Sequence, residues 1–192
     1  DEVLAANDTN AFIVLREGRI IYERYLNGHQ RDTPVTSFSV AKSITSLLVG
    51  AAIDAGAIAS LDDVVTDYIP ELAAKDHRYS QLTLRQIINM RSGIAFADHD
   101  LPWGDKPRAY YDPHLRDLVL NRGFESNPGE RFAYNTYNPI LMGIVLERAV
   151  RKRVSQQLQD ALWVPLGAEC TASWSIDSIE GDMEKMESGV NG

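Results

Sequence analysis

A single cysteine, few histidines and the lack of a long apolar run limit what this chain can do. Cys170 is the only cysteine, so no disulfide and no cysteine metal cluster can form within the chain. We expect its side chain to pack as a small hydrophobe. No run of about 18 apolar residues is present, which argues against a membrane span. No signal peptide is visible, and because a processed protein would look the same, the localisation stays undetermined.

Basic residues are also scarce relative to acidic ones. Lys and Arg total 19 and Asp and Glu total 27, which gives a net charge of −8. This balance disfavours a nucleic-acid partner, because such binders usually need a basic face. The chain has only four histidines. Asp98-His99-Asp100 could be read as metal ligands, but no histidines have ligand spacing, so we expect a polar surface loop, no metal and no other cofactor.

The composition is that of a globular protein with one domain or part of one. The chain has 192 residues, of which 44% are hydrophobic and 24% charged. Two runs rich in β-formers, Ala11–Leu15 and Ile20–Tyr22, flank a turn that contains Gly18, which predicts a hairpin. Both runs are almost continuously apolar, so we expect both faces of this small sheet to be covered.

Helices and loops are predicted for nearly all of the remaining chain. A two-stranded hairpin is marginal alone, so we expect that the strands completing the sheet are missing from this chain. Helix signals are an apolar face ended by glycine, an N-cap Thr, an Asn-Pro pair at a helix start and a short amphipathic run. They predict helices at about Val40 to Ala55 (ended by Gly56), at Leu84 to Arg91 (capped by Thr83), after an N-cap at Asn138 followed by Pro139, and at about Ser155 to Leu162.

The segment that points most clearly to catalysis is Ser39-Val40-Ala41-Lys42. Residues three apart share one side of a helical turn, so Ser39 and Lys42 can come within hydrogen-bond reach. A serine hydroxyl becomes a good nucleophile only when a base removes its proton, and a lysine amine can be that base. The amide of Ser39, at a helix start, can also help to bind an oxyanion. The spacing alone is a weak signal and favours the plainer interpretation, a helix start with a solvated lysine.

The surrounding sequence favours the catalytic interpretation. The segment around Ser39 and five others, in the same order, resemble the serine β-lactamase and penicillin-binding-protein superfamily, with the best likeness to its class C-like and esterase-like hydrolases. These segments are Thr36–Gly50, Leu61–Leu72, Leu82–Gly93, Pro128–Tyr134 (continuing into Leu141-Met142-Gly143), Trp163–Ala168 and Ala172–Asp177.

The resemblance implies roles for further residues. Tyr134 falls at the family's catalytic tyrosine, which can deprotonate the serine and later protonate the leaving group. Family members often have Asn two residues later, where this chain has Thr136, which offers no amide to the substrate. Asn138 could take over that contact, although a helix N-cap is the better interpretation. Trp103 either borders the substrate cleft or anchors its loop as a buried aromatic.

The family's third motif, a Lys or His followed one residue later by Gly, is not found. The resemblance therefore implies an α+β, β-lactamase/transpeptidase-like fold, with an antiparallel sheet flanked by helices and a mostly helical region. Residues 1–192 would form the N-terminal part of one such domain, with the sheet hairpin at 10–26 and the helical region at 39–192. The missing C-terminal part, or a second polypeptide, would complete the fold.

The sequence thus predicts a serine hydrolase that forms an acyl-enzyme on Ser39 with a small ester or amide substrate. The departure at Thr136 favours an esterase or amidase over an efficient β-lactamase. Two alternatives remain open: a D,D-peptidase or penicillin-binding protein, and a non-catalytic binding or assembly module of the same fold. Function inferred from a fold with many activities is an association, so the site geometry has to decide.

Overall fold

A computed structural model describes residues 2–99, 101–186 and 189–191. The chain divides into two compact units, one up to Val35 and one from Thr36 to Asn191. None of the helices in this described part is long and apolar enough to cross a membrane. The regular elements are α1 (Glu2–Ala6), β1 (Ala11–Arg16), β2 (Arg19–Tyr25), α2 (Val40–Asp54), α3 (Leu84–Ile88), α4 (Asp105–Tyr111), α5 (Leu115–Leu120), α6 (Tyr137–Val150), α7 (Val154–Leu158), a π-helical segment (Gln159–Trp163), β3 (Ser173–Trp174) and β4 (Val190–Asn191), with 3-10 turns at Val65–Asp67, Pro70–Ala74 and His77–Gln81.

The first unit contains the predicted hairpin. β1 and β2 pair antiparallel across a two-residue turn in which Glu17 and Gly18 both have positive φ, the geometry that matches the twist of the strands. The prediction that both faces are covered is wrong for this chain. Large apolar side chains on both strands stay exposed, Leu15 at 62% and Ile21 at 60% among them, because no further strand pairs with the hairpin in the part of the chain described here.

The second unit is built around α6. Every residue of this helix from Tyr137 to Leu146 is buried, and the helix packs against α2, α3, α5 and α7. Such a helix, apolar all round, is stable only when neighbours cover every side. α6 is therefore the centre of the core, and the segment leading into it is held firmly in place.

The ends of α2 and α3 follow local signals. α2 ends at Asp54, and Gly56 follows with φ +72°, as predicted. Thr83 caps α3 in a reciprocal pair, since its hydroxyl accepts from the amide of Gln86 while the Gln86 side chain accepts from the amide of Thr83. α3 stops at Ile88, earlier than predicted, because Met90 adopts a left-handed conformation with φ +56°.

Other expectations about the second unit need correction. The short predicted helix at about Ser155 to Leu162 is α7 followed by the π-helical segment. A second antiparallel pair, β3 with β4, lies where no strand was predicted, and Thr36 also bridges to Asn191. Cys170 is exposed and does not pack as a small hydrophobe, because it lies in the loop before β3.

Candidate active site

The backbone turns sharply immediately before Ser39. The amide of Ser37 donates to the carbonyl of Val190 at 2.9 Å, which holds this stretch beside β4. Phe38 then adopts φ +46°, a left-handed conformation that is a genuine outlier for a bulky residue. Ser39 follows with helical angles as the N-cap of α2. This turn thus sets Ser39 at the start of a 15-residue helix, whose first amides, those of Val40 and Ala41, donate back to the carbonyls of Ser37 and Phe38.

Lys42 lies one helical turn after Ser39. Its Nζ is 3.2 Å from the Oγ of Ser39 and donates a hydrogen bond to it. Ser39 itself is exposed and Lys42 is half-buried, so a reactant can approach the hydroxyl while the amine stays beside it. The contact that the three-residue spacing predicted is present.

Tyr134 completes the cluster from a segment 95 residues away. Its Oη donates to Ser39 Oγ at 3.1 Å, and Lys42 Nζ lies 5.3 Å from the centre of its ring. The side chain is 46% exposed. The structure therefore brings Ser39, Lys42 and Tyr134 together, with the serine oxygen between an amine and a phenol.

The segment that carries Tyr134 is fixed on both sides. The amide of Ala133 donates to the carbonyl of Met90 at 2.8 Å. The buried side chain of Asn135 donates to the carbonyl of Ile94 at 2.8 Å and accepts from the amide of Tyr137 at 2.9 Å. The sequence did not point to Asn135, because the local pattern does not distinguish an asparagine that bonds two backbone segments from an ordinary loop asparagine.

Thr136 and Asn138 lie in the core at the start of α6. Thr136 is 5% exposed and immediately precedes the helix. Asn138 is not the predicted N-cap, because α6 already begins at Tyr137 and Asn138 lies in its first turn. The Asn138 side chain accepts from Ser92 Oγ at 2.7 Å and donates to the carbonyl of Ile87 at 3.2 Å. These bonds connect α6 to the end of α3.

A cavity of 250 Å³ adjoins the lysine of the cluster. Side chains of α2, α3 and α6 line it, including Lys42, Thr45, Asn138 and Met142. The hydroxyl of Thr45 donates to the carbonyl of Ala41 at 3.0 Å. The cavity is small for an organic ligand, since such pockets commonly enclose about 300–1,000 Å³. It gives the lysine stem room beside the helix without adding a further ionisable group.

Trp103 is 73% exposed in the loop before α4. The interpretation as a buried aromatic anchor is therefore wrong. The loop is held instead by Asp105, whose carboxylate accepts from the amide of Ala97 at 2.8 Å. The amide of Asp105 in turn donates to the carbonyl of Ala97 at 3.1 Å. These two bonds close the base of the loop and leave its indole ring in solvent.

A buried polar cluster beneath this loop was missed by the sequence analysis. Asp105 pairs with the guanidinium of Arg122, and both contact the hydroxyl of Tyr137, at 2.8 Å and 2.6 Å respectively. Burial raises the pKa of Tyr137 above its usual value, and the hydrogen bond to Asp105 adds to this rise. The cluster joins α4 and the turn after α5 to the first residue of α6, which is three residues from Tyr134.

Within the described residues, no group of three or more His, Cys, Asp or Glu side chains is placed to hold a metal ion. Asp98 and His99 lie in the loop before α4, and Asp100 lies outside the described residues. The side chains of Ser39, Lys42 and Tyr134 supply a hydroxyl, an amine and a phenol for a reaction.

This chain is similar to known proteins in both sequence and fold. The model of the Beta-lactamase family matches residues 6–181. The 6-aminohexanoate-dimer hydrolase of Paenarthrobacter ureafaciens is 31% identical over 182 residues, which cover 88% of this chain and 45% of that protein. A putative 6-aminohexanoate-dimer hydrolase from Bacillus anthracis superposes with a TM-score of 0.87 at 24% identity, over 100% of this chain and 52% of that one.

A D-stereospecific amidohydrolase from Streptomyces is more distant, with a TM-score of 0.63 and 16% identity over 89% of this chain and 60% of that one. The chain thus spans about half the length of the relatives it matches. The α+β, β-lactamase/transpeptidase-like fold is confirmed, and the small antiparallel sheets fit part of such a domain. With most of its length matched by the family model, this chain belongs to the Beta-lactamase family.

Proposed function

We propose that this chain carries the nucleophile of a serine hydrolase that cleaves amide or ester bonds through an acyl-enzyme. One observation supports this most strongly. The Oγ of Ser39 lies 3.2 Å from the Nζ of Lys42 and 3.1 Å from the Oη of Tyr134. These distances are within the range required for proton transfer to and from a nucleophile.

The proposed reaction has two halves. Ser39 Oγ attacks the carbonyl carbon while its proton passes to Lys42, as the neutral amine, or to Tyr134, as the phenolate. The carbonyl oxygen becomes an oxyanion beside the Ser39 amide at the start of α2. As the bond to the leaving group breaks, the proton taken from Ser39 passes through Tyr134 to that group. Water then attacks the ester on Ser39: its oxygen bonds to the acyl carbon, one of its protons passes to the same base, and the base returns that proton to Ser39 Oγ as the acid leaves.

We favour an amide as the substrate. The similar proteins named above include a 6-aminohexanoate-dimer hydrolase and a D-stereospecific amidohydrolase. Trp103 stays the candidate for substrate contact, since it is 73% exposed. Thr136 and Asn138, both buried, would act indirectly by fixing the segment that carries Tyr134.

We also propose that further strands, from the C-terminal part of a longer polypeptide or from a second one, complete the sheet. The exposed apolar side chains of β1 and β2 support this proposal, among them Phe12, Ile13, Leu15 and Ile20. A hairpin of this kind is marginal unless more strands cover it. The molecule that binds beside Ser39, Lys42 and Tyr134 would be a small substrate with an ester or amide group.

A panel of three substrates tests the function. The purified protein and its Ser39→Ala variant are incubated with the 6-aminohexanoate dimer, an aryl butyrate ester and a penicillin. We expect the wild type to release amine from the dimer and the variant to release none. Faster turnover of the ester would point to an esterase, and a stable penicillin adduct to the D,D-peptidase alternative. Absence of all three reactions in a folded protein would mean either that this chain is inactive without the strands that complete the domain or that it is the non-catalytic module.

A further inference from the structure

The loop that follows α3 lies beside the segment that leads to Tyr134. The amide of Gly129 donates to the carbonyl of Arg91 at 2.8 Å, and the amide of Glu125 donates to the carbonyl of Gly93 at 2.9 Å. The guanidinium of Arg91 also donates to the carbonyl of Gly129 at 2.7 Å. Because the first two bonds join backbone to backbone, the loop is a fixed support for the residues that follow Gly129.

The residues on either side of Tyr134 are bonded to this loop. Tyr134 itself lies in an irregular stretch and is 46% exposed, so packing alone does not fix it. On one side, the amide of Ala133 donates to the carbonyl of Met90 at 2.8 Å. On the other side, the Nδ2 of Asn135 donates to the carbonyl of Ile94 at 2.8 Å. The phenol is therefore carried between two hydrogen bonds to the same support.

The bond at Asn135 depends on its side chain, which is buried. A carboxamide offers an NH2 donor and a carbonyl acceptor in one planar group, and Asn135 uses both, because its Oδ1 accepts from the amide of Tyr137 at 2.9 Å. Truncation would leave the carbonyl of Ile94 and the amide of Tyr137, both in buried residues, without these partners. Buried polar groups are costly to leave unpaired, so the chain next to Tyr134 would have to move to pair them.

We propose that Asn135 is a positioning residue, whose carboxamide holds the phenol of Tyr134 at the Oγ of Ser39. The distance between Oη and Oγ is 3.1 Å, close to the upper limit of about 3.2 Å for direct proton transfer. Oη lies at the far end of a long, rigid side chain, so a small rotation of the backbone displaces it by a larger distance. The effect of Asn135 on reaction rate rests on the proposed function, whereas the position of the phenol can be measured without any reaction.

Nuclear magnetic resonance measures that position directly. The chain is labelled with tyrosine that carries ¹³C at Cζ, the ring carbon bonded to Oη. The signal of Tyr134 among the eight tyrosines is assigned by its absence in Tyr134→Phe. In the otherwise wild-type chain, Ser39→Ala removes the oxygen to which the phenol donates, so this signal should shift. In the Asn135→Ala chain the phenol no longer reaches that oxygen, and adding Ser39→Ala should leave the signal unchanged.

The rate of acylation by a fluorophosphonate gives the second measurement. Asn135→Ala should slow it about 10²-fold, the loss that a displacement of about 1 Å can cause. In the Tyr134→Phe background, Asn135→Ala should change the rate by less than about twofold, because the phenol through which it acts is gone. A general loosening of the fold would slow the reaction equally in both backgrounds.

Gln157→Ala is the matched control. Gln157 is also a buried carboxamide that bonds two backbone groups, since its Nε2 donates to the carbonyls of Leu146 and Lys152 at 3.2 Å and 2.8 Å. These bonds join α7 to the last turns of α6, whereas Tyr134 precedes the start of that helix. Gln157→Ala should lower the urea midpoint, as Asn135→Ala does, but keep the wild-type acylation rate and the response of the Tyr134 signal.

The outcomes separate the positioning role from the hydrolase activity. A Tyr134 signal that still responds to Ser39→Ala in the Asn135→Ala chain would overturn the proposal, as would an equal loss of rate with and without the phenol, or an equal loss in Gln157→Ala. A signal that responds as expected in a wild-type chain that is not acylated would support the positioning role and count against the proposed function. If Asn135→Ala does not fold, Asn135→Asp replaces it, because it keeps the size of the side chain and the acceptor for the Tyr137 amide but lacks the NH2 donor.

Discussion

Gly93 is the position where one added methyl group should cost most stability. It has φ +74°, and an added Cβ would clash with the carbonyl oxygen of Ser126 and lie 3.0 Å from that of Asn127. Both neighbours are backbone atoms and cannot swing away. The carbonyl of Gly93 also accepts from the amide of Glu125 at 2.9 Å, so this stretch cannot relax without breaking that bond.

The expected loss for Gly93→Ala is the sum of two effects. The left-handed conformation costs a residue with a Cβ about 1–2 kcal/mol, and forcing a methyl group into closely packed backbone costs about 1–3 kcal/mol more. The free energy of unfolding should therefore fall by about 2–5 kcal/mol, which urea denaturation measures from the midpoint at constant slope.

Gly56→Ala is the matched control for this prediction. Gly56 has nearly the same φ, +72°, but an added Cβ would meet nothing within 4 Å. Both variants restrict the unfolded chain equally, so this effect cancels in the comparison. Gly93→Ala should lose more stability than Gly56→Ala by about 1–3 kcal/mol, and equal losses would refute the argument from close backbone contact.

Further perturbations should distinguish residues that take part in the reaction at Ser39 from residues that stabilise the fold. Tyr134→Phe removes one of the hydrogen bonds to Ser39 and should slow acylation by a fluorophosphonate about 10²–10⁴-fold with little change in Tm, since its side chain is 46% exposed. Tyr137→Phe removes the hydroxyl between Asp105 and Arg122 and should lower the free energy of unfolding by about 1–3 kcal/mol. Burial raises the pKa of Tyr79 to about 12, so the stability it contributes should be complete below about pH 10, the unfolded value, and be lost between about 10 and 12.

Each of these predictions has a clear contrary result. Wild-type acylation rates in Tyr134→Phe would remove the phenol from the proton path. A Tyr137→Phe variant as stable as the wild type would mean that Asp105 and Arg122 stay stably paired without a hydrogen bond to the hydroxyl. For the alkaline transition, Tyr79→Phe should flatten the loss of stability above pH 10, and an unchanged pH profile would mean that other groups cause it.

Local sequence signals predicted the features that depend on neighbouring residues. Gly18 in the hairpin turn, Thr83 as a cap and Gly56 after α2 each act within a few residues, so their effect can be predicted without knowing the fold. The contact between Ser39 and Lys42 belongs to the same class, because a single helical turn joins them.

Features that join distant segments were beyond this reasoning. Tyr134 lies 95 residues from Ser39, and only its resemblance to a family motif suggested the contact. The bond between Asp105 and Tyr137 spans 32 residues without a recognisable pattern. Asn138 has the sequence signature of a cap, yet the helix starts earlier because the core covers its first turn completely. Tertiary packing overrode the local preference there.

The identity of the nucleophile is the central claim, and one mass measurement tests it most directly. The purified protein is treated with a fluorophosphonate, and its intact mass is compared with that of the Ser39→Ala variant treated in the same way. We expect one adduct on the wild type, located on the peptide that contains Ser39, and none on the variant. An adduct that persists in Ser39→Ala, or a folded wild-type protein that forms no adduct, would contradict the account.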